Sequence, residues 1–401
     1  MNVLALTDYL GNVGGAELSA REILVGLAAH EEITSVTAVG GDLPGVDRLD
    51  FPGVDLAPVE ISRYQENIPD LVSDSVLGRR LARTARQYVD DADVIHAHHQ
   101  RSAFALTHLN TSTPTVATVR DFWPICPISI YSVNGRQCRG CDADLNACLQ
   151  NQGWDGPESP AVKAYLRLKR RHNRGVLTEF DANIFIADHI RKTVSQSSAV
   201  ADETNVIHNP VEVTFEGNPI TTDHPRFVTA SSLVDQKGID VAIRAVGHLD
   251  EFQNAELVIF GDGPQRSSLE SLAASVAPGQ VDFRGRVDLQ EVYQAMAGAT
   301  ATIFPSTWEE PFGRVTVESM SLGTPVVGSA VGGISEVIDD NKTGLLFPPG
   351  DDAVLADHLE SLCKETEFAA SLGQRAREAS KRFTRESVAS QHYSFYNSLV
   401  R

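Results

Sequence analysis

Residues 300–328 read TATIFPSTWEEPFGRVTVESMSLGTPVVG. The β-prone run 300–304 leads into a Pro-Ser-Thr turn. A helix-like run over 314–322 follows Pro311-Phe312-Gly313, and Gly323-Thr324-Pro325 opens a second apolar strand over 325–328. Short strand, helix and short strand make a βαβ unit, the repeat of a parallel sheet covered by helices. Two carboxylates mark this unit: Glu310 stands before the helix and Glu318 eight positions further on, inside it. Backbone N–H groups at Gly313, Arg314 and Val315 point out of the helix N-terminus, where the dipole favours an anion. Carboxylates that accept hydroxyls, beside amides that hold phosphate, describe a nucleotide sugar as ligand.

The same alternation runs outward in both directions. In the first half, strands are predicted over 3–7, 36–39, 94–96, 115–119 and 183–187, with helices over 16–29, 77–89, 161–178 and 189–197. In the second half, strands fall over 227–230, 257–260, 281–284, 300–304 and 325–328. Helices there fall over 239–249, 265–276, 289–297, 314–322 and 334–338, and 353–365 and 385–400 close the chain. A polar, turn-rich stretch from Asn209-Pro210-Val211 through 216–225 reads as the linker. The fold class is α/β, with two doubly wound Rossmann-like domains facing a cleft and the ligand at the carboxyl ends of the strands. The first domain spans 1–210, carries a Cys-rich loop over 121–160, and takes back the C-terminal helix 385–401. The second spans 211–384.

Bulk properties bound the function. A chain of 401 residues exceeds one compact core. No apolar stretch approaches the ~20 residues that span a bilayer, and the N-terminus reads as a buried strand rather than a signal peptide. A cytoplasmic location is expected. The net charge of −19 argues against nucleic acid as a partner. Acidity spread along the chain, with arginines far outnumbering lysines, fits the solvated surface of a salt-adapted protein or acidity for solubility alone.

Four glycine-bearing loops sit at strand-to-helix junctions: Gly11 to Glu17, Lys237-Gly238, Gly261-Asp262-Gly263-Pro264 and Gly332-Gly333. All four are expected at the ligand edge of one domain. The order of these pieces resembles the retaining glycosyltransferases of family 4, which have the B-type fold of two Rossmann domains. The resemblance runs from Gly14-Gly15-Ala16-Glu17 through Asp93 to His98, Ile207 to Val211, Lys237-Gly238 and Gly261 to Pro264. It continues through Phe304-Pro305-Ser306, the E-x7-E pair Glu310/Glu318 and Gly323 to Val327 to Gly332-Gly333. It implies transfer of a sugar from a nucleotide sugar, UDP- or GDP-linked, to a glycan or lipid-linked acceptor, with retention and with no cofactor needed for catalysis. It places Glu318 on the ribose hydroxyls and Glu310 near the transferred sugar. The amides of Gly313, Arg314 and Val315, with Lys237 and Gly15, would hold the diphosphate. A sugar-nucleotide epimerase of related fold and a non-catalytic scaffold subunit are the alternatives.

Two positions depart from the family pattern. Ser232 stands where an arginine contacts the donor phosphates, and Arg120 stands where a histidine lies near the transferred sugar. Arg120 is therefore expected to compensate, as a catalytic residue beside Glu310, by reaching the diphosphate or a charged sugar group; a weakened or lost donor site is the alternative.

Cys126, Cys138, Cys141 and Cys148 follow a C-x11-C-x2-C-x6-C spacing, which favours a metal over disulfides inside a cell. Structural zinc or an iron–sulfur cluster fits four thiolates, and free or paired thiols are the remaining option. Lys163, Arg167, Lys169, Arg170, Arg171 and Arg174 form a basic island, with Ala164, Leu168 and Val176 as its apolar face. Such a helix docks on anionic lipid at the inner membrane face, or is an ordinary solvated face. His96, His98 and His99 follow the third strand and either line an acceptor pocket or pack. Trp123 either stacks on a sugar or anchors its loop.

Overall fold

The structure, a computed structural model, describes residues 1–61, 70–133, 136–141, 145–151 and 160–400. The chain forms two compact units, Met1–Val211 with Phe383–Arg401, and Glu212–Arg382.

The strands of the first unit are β1 (Asn2–Tyr9), β2 (Ser35–Asp42), β3 (Asp55–Glu60), β4 (Val94–Ala97), β5 (Thr115–Val119), the hairpin β6 (Ser132–Val133) and β7 (Arg136–Gln137), β8 (Ala182–Phe185) and β9 (Glu203–Val206). Apart from the hairpin they form one parallel sheet, ordered β3-β2-β1-β4-β5-β8-β9. Val3, Leu4, Ala5 and Leu6 of β1 are all buried. Such an unbroken apolar run marks a strand covered on both faces. Ile23 and Leu24 of the helix Gly15–Ala28 pack there with Val388 and Tyr396 of the helix Arg385–Leu399, which closes the chain on this unit. The two helices meet at Gly26, where an added Cβ would lie 2.7 Å from Arg385 Cγ. Beside that contact Arg385 pairs with Glu22 at 2.6 Å.

The second unit repeats the plan with β10 (Arg226–Ala230), β11 (Glu256–Phe260), β12 (Val281–Gly285), β13 (Ala301–Phe304), β14 (Val326–Ser329) and β15 (Leu345–Phe347). The parallel order is β12-β11-β10-β13-β14-β15. Phe227, Leu257, Ile259, Ile303 and Val327 carry its core with Ile239, Ile243, Leu355 and Leu359 from the covering helices. The polar stretch beyond Val211 is not a loose tether. The Glu216 amide donates to Gln290 Oε1 and the Ile220 amide to the Gln294 carbonyl, both at 2.9 Å, so it is laid along the helix Leu289–Ala297.

Some elements escape the apolar pattern. β3 carries Pro58 and β9 reads Glu-Thr-Asn-Val, and both lie at sheet edges, where a missing ladder donor or a polar face is tolerated. The predicted helix over 161–178 ends earlier, as Pro160–Asn173, because Gly175 takes φ +85° and a 3₁₀ turn, Val176–Glu179, follows. Its inward face is Leu166, Lys169 and Asn173 rather than Ala164 and Leu168, and Leu168 is 56% exposed. Among the described residues no helix is long and apolar enough to cross a membrane.

In both sheets the sequence order reverses once, between β1 and β4 and between β10 and β13. Loops leaving the carboxyl ends of strands at such a switch point diverge and leave a crevice for a ligand.

Candidate functional site

The crevice of the second unit is a cavity of about 230 Å³. Ser232 follows β10, Ser306 follows β13, and Lys237, Glu310, Gly313 and Arg314 complete its polar wall. Thus six residues singled out in the sequence come together: Ser232, Lys237, Glu310, Gly313, Arg314 and, on the same wall, Val315.

Glu310 is held from three sides. Its Oε2 accepts Lys237 Nζ at 2.7 Å, Trp308 Nε1 at 2.9 Å and Ser306 Oγ at 3.3 Å. Lys237 Nζ also lies over the Trp308 ring, 5.5 Å from its centroid. Charge-assisted bonds of this kind fix a carboxylate in direction. The backbone beneath is fixed by Gly332-Gly333. The Gly333 amide donates to the Glu310 carbonyl at 2.7 Å, and a Cβ at Gly332 would lie 2.4 Å from that same oxygen. This pair supports the Glu310 loop. Gly261 and Gly263 likewise press on the backbone of Ser231 and Leu233. The loop at Gly11 to Gly15 belongs to the first unit, so three of the four glycine loops share one edge, not all four.

The helix Arg314–Leu322 starts at Gly313, whose φ of +81° opens the first amides toward the cavity. Glu318, one turn in, is buried, and Arg314 Nε donates to its Oε1 at 3.0 Å. Burial raises the Glu318 carboxyl above its usual range, and the Arg314 charge opposes that rise. Tyr293 is pushed well above its ordinary value by the same burial and by Glu318. Thr316, fully buried on the cavity wall, has no hydrogen-bond partner for Oγ1 among the described residues. Neither Thr316 nor Trp308 stands out in sequence, because one reads as a helix residue and the other as a turn residue. Their signal is position, in the first helical turn and two residues before Glu310.

The switch point of the first unit holds a buried polar cluster. Arg120 is 6% exposed, donates from Nε to the His98 carbonyl (2.8 Å) and from Nη1 to Asn209 Oδ1 (2.6 Å), and lies 3.3 Å from His98 Nδ1. None of its bonds is to a carboxylate, and burial lowers its pKa to about 10. His96 bridges Tyr396 Oη (2.5 Å) and Thr118 Oγ1 (2.6 Å). Burial pushes His96 and His98 well below their ordinary values, His99 down to about 3 and His392 down to about 4. These rings are neutral packing elements, and Arg120 is fastened to its own unit. Gly15 opens the helix Gly15–Ala28 with nothing within 4 Å of an added Cβ. Trp123 is buried against Phe104, so it anchors its loop.

The Cys-rich loop is partly outside the described residues. Cys126 is buried, its sulfur accepts the amides of Ile128 and Tyr131, and burial pushes its thiol up to about 11. The Gly140 amide donates to Cys138 Sγ at 3.2 Å, and Cys141 packs with Leu145 and Leu166. Cys148 lies on the helix Leu145–Asn151, and all five cysteines of the chain are unbridged. The amide-to-sulfur turns at Cys126 and Cys138 suit metal-bound thiolates. Yet among the described residues no group of three or more His, Cys, Asp or Glu is placed to hold a metal ion.

Comparison with known proteins agrees with this geometry. The family described as Glycosyltransferase Family 4 matches residues 13–215, and that described as Glycosyl transferases group 1 matches 211–379. An uncharacterized glycosyltransferase, MJ1607 of Methanocaldococcus jannaschii, is 26% identical over 85% of this chain and 83% of its own length. A phosphatidyl-myo-inositol mannosyltransferase of Mycobacterium leprae is 33% identical over 41% of this chain and 44% of its own. The crystal structure of Anabaena Alr3699/HepE in complex with UDP and glucose superposes with a TM-score of 0.71 at 20% identity, over 99% of both chains, and shares the fold. With both units matched in order and a parallel α/β sheet in each, this chain is a member of glycosyltransferase family 4.

Proposed function

We propose that the chain transfers a sugar, with retention at the anomeric carbon, from a UDP- or GDP-linked donor to a glycan or lipid-linked acceptor of the cell envelope. The observation that carries this reading is the cavity at the β10/β13 switch point. There a triply held carboxylate, a lysine and an open helix N-terminus converge. Glu318 accepts the ribose hydroxyls, and the Arg314 charge beside it opposes the rise that burial imposes on its carboxyl. Glu310, oriented by Lys237, Trp308 and Ser306, accepts hydroxyls of the sugar being transferred. Lys237 and the amides of Gly313 to Val315 stabilise the leaving diphosphate, which carries the charge that builds up as the glycosidic bond breaks. The second unit, Glu212–Arg382, is the donor domain. The first, with the C-terminal helix, is the acceptor domain, where Gly15 offers an open helix start and Arg120 positions the segment that carries Asn209. Incubating the protein with UDP- and GDP-sugars and reading the anomeric configuration of the product tests this. Inverted product, or undiminished turnover in Glu318→Ala, would overturn it.

The finer assignments belong to the same proposal. Peripheral contact with an anionic inner membrane face through 163–174 is supported by exposed Leu168 beside Arg167 and Arg171. The lipid acceptor named for the Mycobacterium relative is consistent with it. Flotation with anionic liposomes, lost on charge reversal at Arg167 and Arg171, checks it. A structural zinc, or an iron–sulfur cluster in its place, at Cys126, Cys138, Cys141 and Cys148 is supported by the two amide-to-sulfur turns. Elemental analysis of purified protein that finds no stoichiometric metal removes it. A salt-adapted setting is supported by the charge of −19.

A further inference from the structure

The polar wall of the cavity is electrically balanced. Lys237 is bonded to Glu310 on the same wall, and Arg314 to Glu318, which lies behind the wall one turn further into the helix. A diphosphate brings a charge of about −2 to −3, and a lysine already tied to a carboxylate does not match it alone. Within this unit, Arg314 lines the same wall. It sits in the first turn of the helix whose open amides face the cavity, so its charge adds to the helix dipole at the place where an anion is favoured.

Thr316 is the second, independent sign. Its hydroxyl is fully buried, lines the cavity and has no hydrogen-bond partner among the described residues. A buried hydroxyl left without a partner destabilises the protein that carries it. It lies in the same first turn, within 3.2 Å of where a Cβ on Gly313 would stand. A phosphate oxygen held by the Gly313 to Val315 amides is the acceptor that this hydroxyl lacks.

We infer that Arg314 and Thr316 form a phosphate subsite at this helix start, with Arg314 supplying the second cation and Thr316 Oγ1 a donor to the diphosphate. The inference rests on the donor reading above and names the residues that make it specific for a diphosphate over a bare nucleoside. Ser232 faces the same cavity from β10, so a cation placed there can substitute for Arg314.

Calorimetric titration of UDP, GDP, uridine and guanosine into the full chain tests it, with Thr316→Val, Arg314→Leu and Ser232→Arg/Arg314→Leu beside the unaltered protein. Arg314→Leu should weaken the bound diphosphate roughly tenfold to a hundredfold, the scale of one charged hydrogen bond. Arg314→Leu also strips Glu318 of its partner, so nucleoside binding should weaken too, but by less than that of the diphosphate, and Ser232→Arg should restore only the excess loss of the diphosphate. Thr316→Val should weaken the diphosphate several-fold while leaving Tm unchanged or higher, a combination that a structural threonine does not give. Unaltered diphosphate binding in both single variants, or equal losses for nucleoside and diphosphate, overturns the subsite alone. An unaltered protein that binds neither UDP nor GDP overturns the donor reading, and this inference with it.

Discussion

Glu318 lies in the second turn of its helix, buried, with Arg314 donating to it. Glutamine at that position keeps the shape and removes the charge, so Arg314 loses its carboxylate. Glu318→Gln should bind the donor nucleotide roughly tenfold more weakly and lose on the order of 1–3 kcal/mol of stability. Calorimetry and denaturant melts measure the two, and unaltered donor affinity would contradict the role given to Glu318. Glu310 and Glu318 are legible in sequence because a carboxylate on each side of a helix start is a spacing with a chemical meaning. The partners that hold Glu310 are not legible to the same degree. Trp308 and Ser306 reach it only because the loop after β13 folds back, which no local pattern encodes.

At the scale of elements, the strands of both sheet centres are readable from their apolar runs. The edge strands β3 and β9 are not, since their stability comes from one neighbour rather than from two buried faces. The helix Arg385–Leu399 is readable, but what it delivers is not. His392 and Tyr396 join His96, His98 and Arg120 in a buried cluster that forms only with the tertiary fold. That cluster sets a pH dependence. The folded imidazoles sit at about 3 for His99, about 4 for His392 and well below 6.5 for His96 and His98, so the unfolded chain takes up these protons first. Their contribution is complete above pH 6.5 and is lost as pH falls toward those values. Asp8 and Asp121, raised to about 6 by burial, work the other way below pH 6, but they are displaced less far. Tm should therefore fall between pH 7.5 and 5, and a level or rising Tm would contradict the buried neutral cluster. At the other end of the same helix, Gly26→Val should destabilise the first unit by about 1–3 kcal/mol, because the branch meets Arg385 and Ala389. A melt that matches the unaltered protein would show that the two helices move apart freely.

For the whole molecule, a two-unit α/β plan was legible from the alternation and the turn-rich break near residue 211. The attachment of 214–220 to the helix Leu289–Ala297 was not, because the linker is held through its backbone, by Gln290 and Gln294, and such bonds leave no mark in its own side chains. The charge of −19 acts on both units at once. Screening it reduces self-repulsion within about a Debye length, so Tm should rise from 0.02 M to about 1 M salt. A Tm independent of salt would mean that the acidic surface is already offset locally. The central claim is that the cavity at the β10/β13 switch point is a nucleotide-sugar site. Thermal-shift titration with a panel of UDP- and GDP-sugars tests it most directly, since a ligand bound only by the folded state raises Tm with concentration. The account predicts a saturable rise for at least one of them, reduced in Glu318→Gln, and no shift with any member of the panel would contradict it.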